Sequence, residues 1–380
     1  MSTIDAARFT PGGITPPGTV NLALGYPDET VFPHELLDLA VLGRPDVRSK
    51  ALSYGPPSGN QALTDALFAT VLRDEQRVGS TLITNGSMEA IDLVLRARAR
   101  HGNILLSEDP TFPGLVDTAR IAGLDVVAVP TDHEGVDPDA LIERVHTVRL
   151  GGHSIAAIYL MPSASNPTGS RLTLERRQQI AAAAAHLDVL VIEDDAYRAI
   201  NFTADEPPPT LHALNPANVL HLRSLSKVLS PGFRLALAIG PADVIDEMTQ
   251  LKPVGGTTPF SSELIADLLS TLDYDKHLAR LTDLYAHRCA VALDAVHHHL
   301  PDAHVTPPAG GFFLWLKLPP RINPASLYRR AAEAGVAYLP GTLFTIEPSD
   351  ESFIRISFSF EPPDRISTGI AALAEAATHT

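Results

Sequence analysis

One primary amine in this chain stands in a setting built for covalent chemistry. Lys227 follows two hydroxyl residues, Ser224 and Ser226, and precedes Arg234, with a Pro231-Gly232 break between. A lysine amine condenses with an aldehyde to form a Schiff base, which a guanidinium cannot do. Two serine hydroxyls and an arginine can converge on a phosphate, the arginine gripping it bidentately. The chain has only five lysines, Lys50, Lys227, Lys252, Lys276 and Lys317, so arginine supplies most of its positive charge. A lysine kept at position 227 therefore points to a need for the amine itself. The apolar run Val219–Leu222 predicts a strand before it, and Leu235–Ile239 predicts one after it. The amine is thus presented on a turn between two core strands, where an unpaired lysine is rare.

Other polar residues sit at the ends of predicted strands. Leu82–Ile91 reads as strand, turn at Gly86-Ser87-Met88, then helix; the first backbone N–H groups of that helix make either an anion site or a simple cap. Asn166-Pro167-Thr168-Gly169 comes just after the strand Ile155–Leu160, and ligands of α/β sheets bind at strand C-termini. The strand Val189–Ile192 runs into Glu193-Asp194-Asp195-Ala196-Tyr197. Arg355 lies between apolar neighbours in the strand Phe353–Phe358, so it needs an anion, either an internal carboxylate or a ligand. The run His297-His298-His299 lacks the i, i+4 spacing of helical metal ligands and reads as surface, so no metal site is expected.

These segments need a large scaffold. The chain has 380 residues, 45% hydrophobic and 19% charged, which suits a two-domain globular protein. Predicted strands alternate with helices such as Leu63–Leu72, Ala140–Val145 and Leu174–His186, the pattern of an α/β sheet. A net charge of −15 argues against nucleic acid and anionic membranes as partners. No apolar run has the length of a membrane span, and Met1–Pro17 lacks the pattern of a signal peptide. The single cysteine, Cys289, excludes an intrachain disulfide. A cytoplasmic location is expected.

The segment S-x-S-K-x-x-x-P-G-x-R resembles the cofactor-lysine signature of the class I/II aminotransferases, fold-type I enzymes dependent on pyridoxal 5'-phosphate (PLP). Asn166-Pro167-Thr168-Gly169, Asp194 with Tyr197, and Arg355 follow at family-like spacing, and the resemblance runs from about Asn21 to the end. It implies a large domain with a mixed, mostly parallel sheet plus a small α/β domain. The expected division is 1–45 for an N-terminal arm and part of the small domain, 46–275 for the PLP-binding domain, and 276–380 for the small C-terminal domain. It implies that Lys227 carries PLP as a Schiff base and serves as general base. Asp194 faces the ring nitrogen, and Tyr197 and Asn166 bond the phenolic oxygen. Gly86, Ser87, Met88, Ser224, Ser226 and Arg234 cradle the phosphate, and Phe112 stacks on the ring. Arg355 clamps the substrate carboxylate beside Asn166, with Gly25 in the segment over the site. Tyr54 reaches the phosphate of a partner subunit, which implies a homodimer with shared sites. Met88, Phe112 and Ala236 depart from the glutamine, tyrosine and glycine often found there.

The implied function is transfer of the amino group of an L-amino acid to a 2-oxo acid. The same grips also serve β-elimination, decarboxylation and oxidative deamination, so these stay open as the alternative, as does the identity of the substrate. The regulator versions of the family carry a helix-turn-helix domain ahead of this region, and none is expected here.

Overall fold

The structure, a computed structural model, describes residues 18–33, 45–73, 77–203, 205–252, 256–348 and 350–378. The expected extended stretch before residue 18, and Val254-Gly255 of the loop at 254–260, lie outside them. Fourteen strands are described, in chain order: β1 (Val20–Asn21), β2 (Ser80–Thr84), β3 (Ile104–Asp109), β4 (Asp125–Asp132), β5 (Gly135–Val136), β6 (Ile155–Leu160) and β7 (Val191–Asp194). After them come β8 (Val219–Ser224), β9 (Ala236–Gly240), β10 (His304–Val305), β11 (Phe313–Lys317), β12 (Val336–Ala337), β13 (Leu339–Pro340) and β14 (Phe353–Ser357).

Eight strands form one sheet in the order β2-β9-β8-β7-β6-β3-β4-β5. Its centre, from β8 across to β4, is parallel, while β9 is antiparallel to both neighbours and β5 to β4. The mixed, mostly parallel sheet expected from the sequence is present. Its strands alternate between two apolar layers. Leu105, Ala157, Tyr159, Ile192, Leu220 and Leu222 pack into one cluster, and Ile104, Leu106, Ile158, Leu160, Val191 and Val219 into the other. This is the two-residue period of a strand buried on both faces.

Helices cover both layers, and their starts follow local chemistry. Asp137 caps the helix Pro138–Leu150 by accepting from Asp139 N and Ala140 N, with Pro138 in the first turn. Thr173 caps Leu174–Leu187 in the same way. The strand expected at Val189–Ile192 is displaced to Val191–Asp194 because Asp188 ends the preceding helix in the left-handed region and residues 189–190 are used in the turn.

A second sheet, β10-β11-β14-β13, is antiparallel throughout, and β1 pairs in parallel with β12. Sequence-distant ends of the chain therefore meet in one layer. Trp315 and Leu339 flank Arg355 in register, so β14 carries its arginine as a central strand.

Candidate active site

The C-terminal ends of β6, β7 and β8 open into one crevice, where the next residues of each segment collect. The register explains the grouping. Thr84 and Ser224 both pair with Ala236, one on each side of β9, so the turns after β2 and β8 are brought to either flank of Arg234.

Gly86 begins the helix Ser87–Arg98 at φ +82°, and no side chain caps that helix. Arg234 is itself left-handed, φ 52°, and its Nη2 donates to Asn85 O at 3.2 Å. A Cβ added at Gly86 would lie 2.6 Å from that nitrogen. Uncapped backbone N–H groups and a guanidinium thus close on one small concavity, a cradle suited to a phosphate. Ser224 and Ser226 are buried beside it, Ser224 Oγ accepting from Ser226 N at 3.2 Å.

Lys227 Nζ donates to Gly25 O at 2.9 Å and lies 5.8 Å from the ring centres of Tyr197 and Phe312. Burial, then the charges of Arg355 and Arg234, push its amine down to about 8, against the pull of Asp194. Asp194, 4% exposed, ends β7. Tyr159 Oη donates to its Oδ2 at 2.7 Å, and its Oδ1 has no hydrogen-bond partner. Burial lifts this carboxyl to about 6, opposed chiefly by the Tyr159 bond.

The next residue behaves differently. Burial alone would also raise Asp195, but the hydrogen bond from His221 and the charges of Arg198, His221 and Arg223 outweigh it and hold the group low. Asp195 belongs to a buried charge cluster behind the crevice, while Asp194 faces the lysine. Tyr197 is buried edge-on to Phe312 and Phe313.

Arg355 is 5% exposed. Its Nη1 donates to Asn166 Oδ1 at 2.8 Å and its Nη2 to Ala23 O at 2.5 Å, while Nε has no partner. The guanidinium lies 4.0 Å from the centre of Phe313 and 4.7 Å from that of Phe344. No carboxylate pairs with it among the described residues, and burial pushes its pKa down to about 9. Of the two readings open from the sequence, the structure shows no internal salt bridge.

Three further sequence candidates are half-buried or exposed. Phe112 is half-buried at the start of the helix Pro113–Ile121, its ring against Gly114. Met88 packs partly into the core. Tyr54 is 92% exposed.

Two further residues had no assigned part in the sequence reading. Tyr159 is indistinguishable from a core tyrosine until β6 is placed beside β7. Glu108 lies near the end of β3, and its partners are remote in sequence: Oε1 accepts from Met161 N at 2.7 Å and from Ser165 Oγ at 3.3 Å. It thereby fixes both ends of the link from β6 to Asn166. Burial lifts Glu108 from 4.5 to about 8, aided by Asp194 and opposed by those two bonds. Such a group favours the folded state fully below its ordinary range, and that contribution is lost as pH rises through about 8. Glu108→Gln keeps an acceptor of the same shape without the charge. It is expected to flatten the decline in Tm of the cofactor-free protein between about 4.5 and about 8. An unchanged pH dependence in melting scans would refute this.

The residues present fit PLP on structural grounds. The Gly86–Arg234 cradle suits its phosphate, Lys227 is a depressed primary amine, and Asp194 Oδ1 is an unpaired acceptor in a buried site.

Comparison with known proteins agrees. The model of the family "aminotransferase class I and II" matches residues 40–373. A 2-aminoadipate transaminase of Thermus thermophilus is 31% identical over 95% of this chain and 90% of its own length. The crystal structure of LysN, an α-aminoadipate aminotransferase from Thermus thermophilus complexed with N-(5'-phosphopyridoxyl)-L-leucine, superposes with a TM-score of 0.86 at 31% identity, covering 96% of this chain and 93% of that one. A kynurenine aminotransferase from Pyrococcus horikoshii superposes with a TM-score of 0.89 at 28% identity, covering 95% and 91%. With fold, cofactor grips and relatives in accord, the chain belongs to the class I and II aminotransferases, fold-type I enzymes that use pyridoxal phosphate to carry out transamination.

Proposed function

We propose that the chain moves the amino group of an L-amino acid to a 2-oxo acid, with Lys227 as the Schiff-base lysine and Arg355 as the grip on the substrate α-carboxylate. The observation that carries this reading is the buried Arg355 guanidinium, without a carboxylate, held beside Asn166 in the crevice that contains Lys227. When bound, PLP supplies an electron-withdrawing ring that stabilises negative charge at the substrate α carbon. Lys227 Nζ, once free, takes the α proton; an amine near 8 is matched to that task at neutral pH. Asp194 Oδ1 holds the proton of the ring nitrogen, and Tyr159 fixes the carboxylate by occupying Oδ2. Asn166 and Tyr197 would bind the phenolic oxygen, and Phe112 would offer its π face to the ring. Gly86, Ser87, Met88, Ser224, Ser226 and Arg234 hold the phosphate, the first three through backbone N–H groups. Gly25 closes the substrate side.

The exposure of Tyr54 supports a homodimer in which this phenol reaches the phosphate bound by the second copy. The pairing of β1 with β12 supports a small domain made of residues 1–45 and 276–380 around a PLP-binding domain at 46–275. No described helix is long and apolar enough to cross a membrane, and we assign the enzyme to the cytoplasm.

The relatives act, by name, on 2-aminoadipate, on aromatic amino acids and on kynurenine, which supports a substrate with a long or aromatic side chain. They also favour transamination over elimination, decarboxylation or oxidation. The test is a panel of such amino acids offered to the PLP-loaded protein in air and without oxygen. Conversion to pyridoxamine phosphate, reversed by a 2-oxo acid, is expected for at least one of them. Release of ammonia, thiol, carbon dioxide or peroxide with the cofactor form unchanged would overturn the reading.

A further inference from the structure

The one buried lysine among the described residues has no part in the chemistry above. Lys252 follows the helix Ala242–Leu251 and is 7% exposed. Its ammonium donates to Ile83 O (2.5 Å), Thr257 Oγ1 (2.5 Å) and Pro57 O (3.3 Å). Thr257 Oγ1 in turn donates to Ile83 O at 2.8 Å. Three N–H donors thus meet three acceptors, and none of the three is a carboxylate.

The acceptors belong to three segments distant in sequence. Ile83 is in β2, three residues before Gly86. Pro57 follows Tyr54 by three residues. Thr257 begins the turn into the helix Pro259–Thr271. A close approach beside the lysine reinforces the join: a Cβ at Gly256 would lie 2.4 Å from Pro56 O. From the other side Glu89 accepts from Asn85 N at 2.6 Å, so the turn 83–89 is held at both ends. We propose that Lys252 is a positioning residue, which locks the phosphate turn of its own site to the loop that presents Tyr54 to a second copy. This rests on the reading of Gly86-Ser87 as the phosphate turn and of Tyr54 as partner-directed.

The chemistry explains why the residue is a lysine. Three acceptors arranged around one point suit a tetrahedral ammonium, whereas the planar fork of arginine cannot reach all three. Burial without a carboxylate lowers the amine's pKa, and the charge of Glu89 opposes that shift. Methionine at 252 would fill the space, leave Pro57 O without its ammonium donor and leave Ile83 O to the Thr257 hydroxyl alone.

The test measures PLP affinity by equilibrium dialysis and the monomer–dimer balance by sedimentation, for wild type, Lys252→Met and Thr257→Val. Lys252→Met is expected to weaken PLP at least about tenfold and to shift the balance toward monomer, with a smaller change in kcat at saturating PLP. Thr257→Val, which removes one of the three acceptors, is expected to weaken PLP about threefold, and it decides the matter if Lys252→Met does not fold. Wild-type affinity and dimerisation in the folded variants would overturn the proposal, as would a loss of kcat at saturating PLP with affinity unchanged. A wild-type protein that binds no PLP would instead sink the parent reading.

Discussion

Lys227→Ala is expected to lower turnover by about 10,000-fold or more, because one nitrogen is asked to anchor the cofactor and to move the α proton. Lys227→Arg separates the amine from its charge. Arginine preserves the cation near Asp194 but can neither condense with an aldehyde nor give up its proton near neutral pH. Both variants should therefore be equally inactive. Borohydride reduction of the loaded wild type should attach the pyridoxyl group to the peptide containing Lys227 and to no other. Appreciable activity in either variant, or label on another lysine, would remove Lys227 from the mechanism.

The surroundings of that nitrogen predict how it responds to its neighbours. The positive charge of Arg355 helps to hold the amine down at about 8, and Asp194 pulls the other way. Deleting the Arg355 charge should raise the pH at which the cofactor-free amine becomes reactive toward a small aldehyde, and Asp194→Asn should lower it. A common shift in one direction for the two variants would contradict the opposed charges.

Much of this site was readable before the fold was known, for a reason visible in the strands. β6, β7 and β8 are buried on both faces, so they appear as short apolar runs that stop where the polar residues begin. Asn166, Asp194 and Lys227 each follow such a run closely, and sheet topology places strand ends together. Tyr159 and Glu108 escaped because their meaning depends on which strand lies alongside which. Tyr159 meets Asp194 only because β6 neighbours β7, and Glu108 meets Met161 only because β3 neighbours β6. The three acceptors of Lys252 come from three separate segments, and no spacing rule joins them. The resemblance singles out Asp194 over its neighbour Asp195, and the fold gives the two different surroundings: Asp194 accepts from Tyr159, while Asp195 lies 3.4 Å from His221.

Arg355→Met is expected to lower kcat/KM by roughly 30-fold to several thousand-fold, the range for removing one partner of a buried, hydrogen-bonded charge pair. Its effect on the empty protein should have the opposite sense. A structural salt-bridge arginine, once removed, leaves a buried carboxylate behind and costs about 3–5 kcal/mol. Among the described residues there is no such carboxylate: the guanidinium rests on Asn166 Oδ1, Ala23 O and two phenylalanine rings. Even with those contacts burial drives its pKa down to about 9, so the crevice holds the cation less favourably than water does. Methionine fills comparable volume without charge, and the melting temperature of the cofactor-free variant should equal or exceed that of wild type. A 2-oxo acid at one hundred times its Kd should stabilise the loaded wild type by about 2.7 kcal/mol and leave Arg355→Met nearly unmoved, since mass action rewards only the state that binds. A variant that melts well below wild type and still responds to the 2-oxo acid would show that Arg355 serves the fold and that another group reads the carboxylate. The two signs belong together: a buried cation left without a counterion is costly to the empty fold, and that cost is relieved only when a carboxylate arrives.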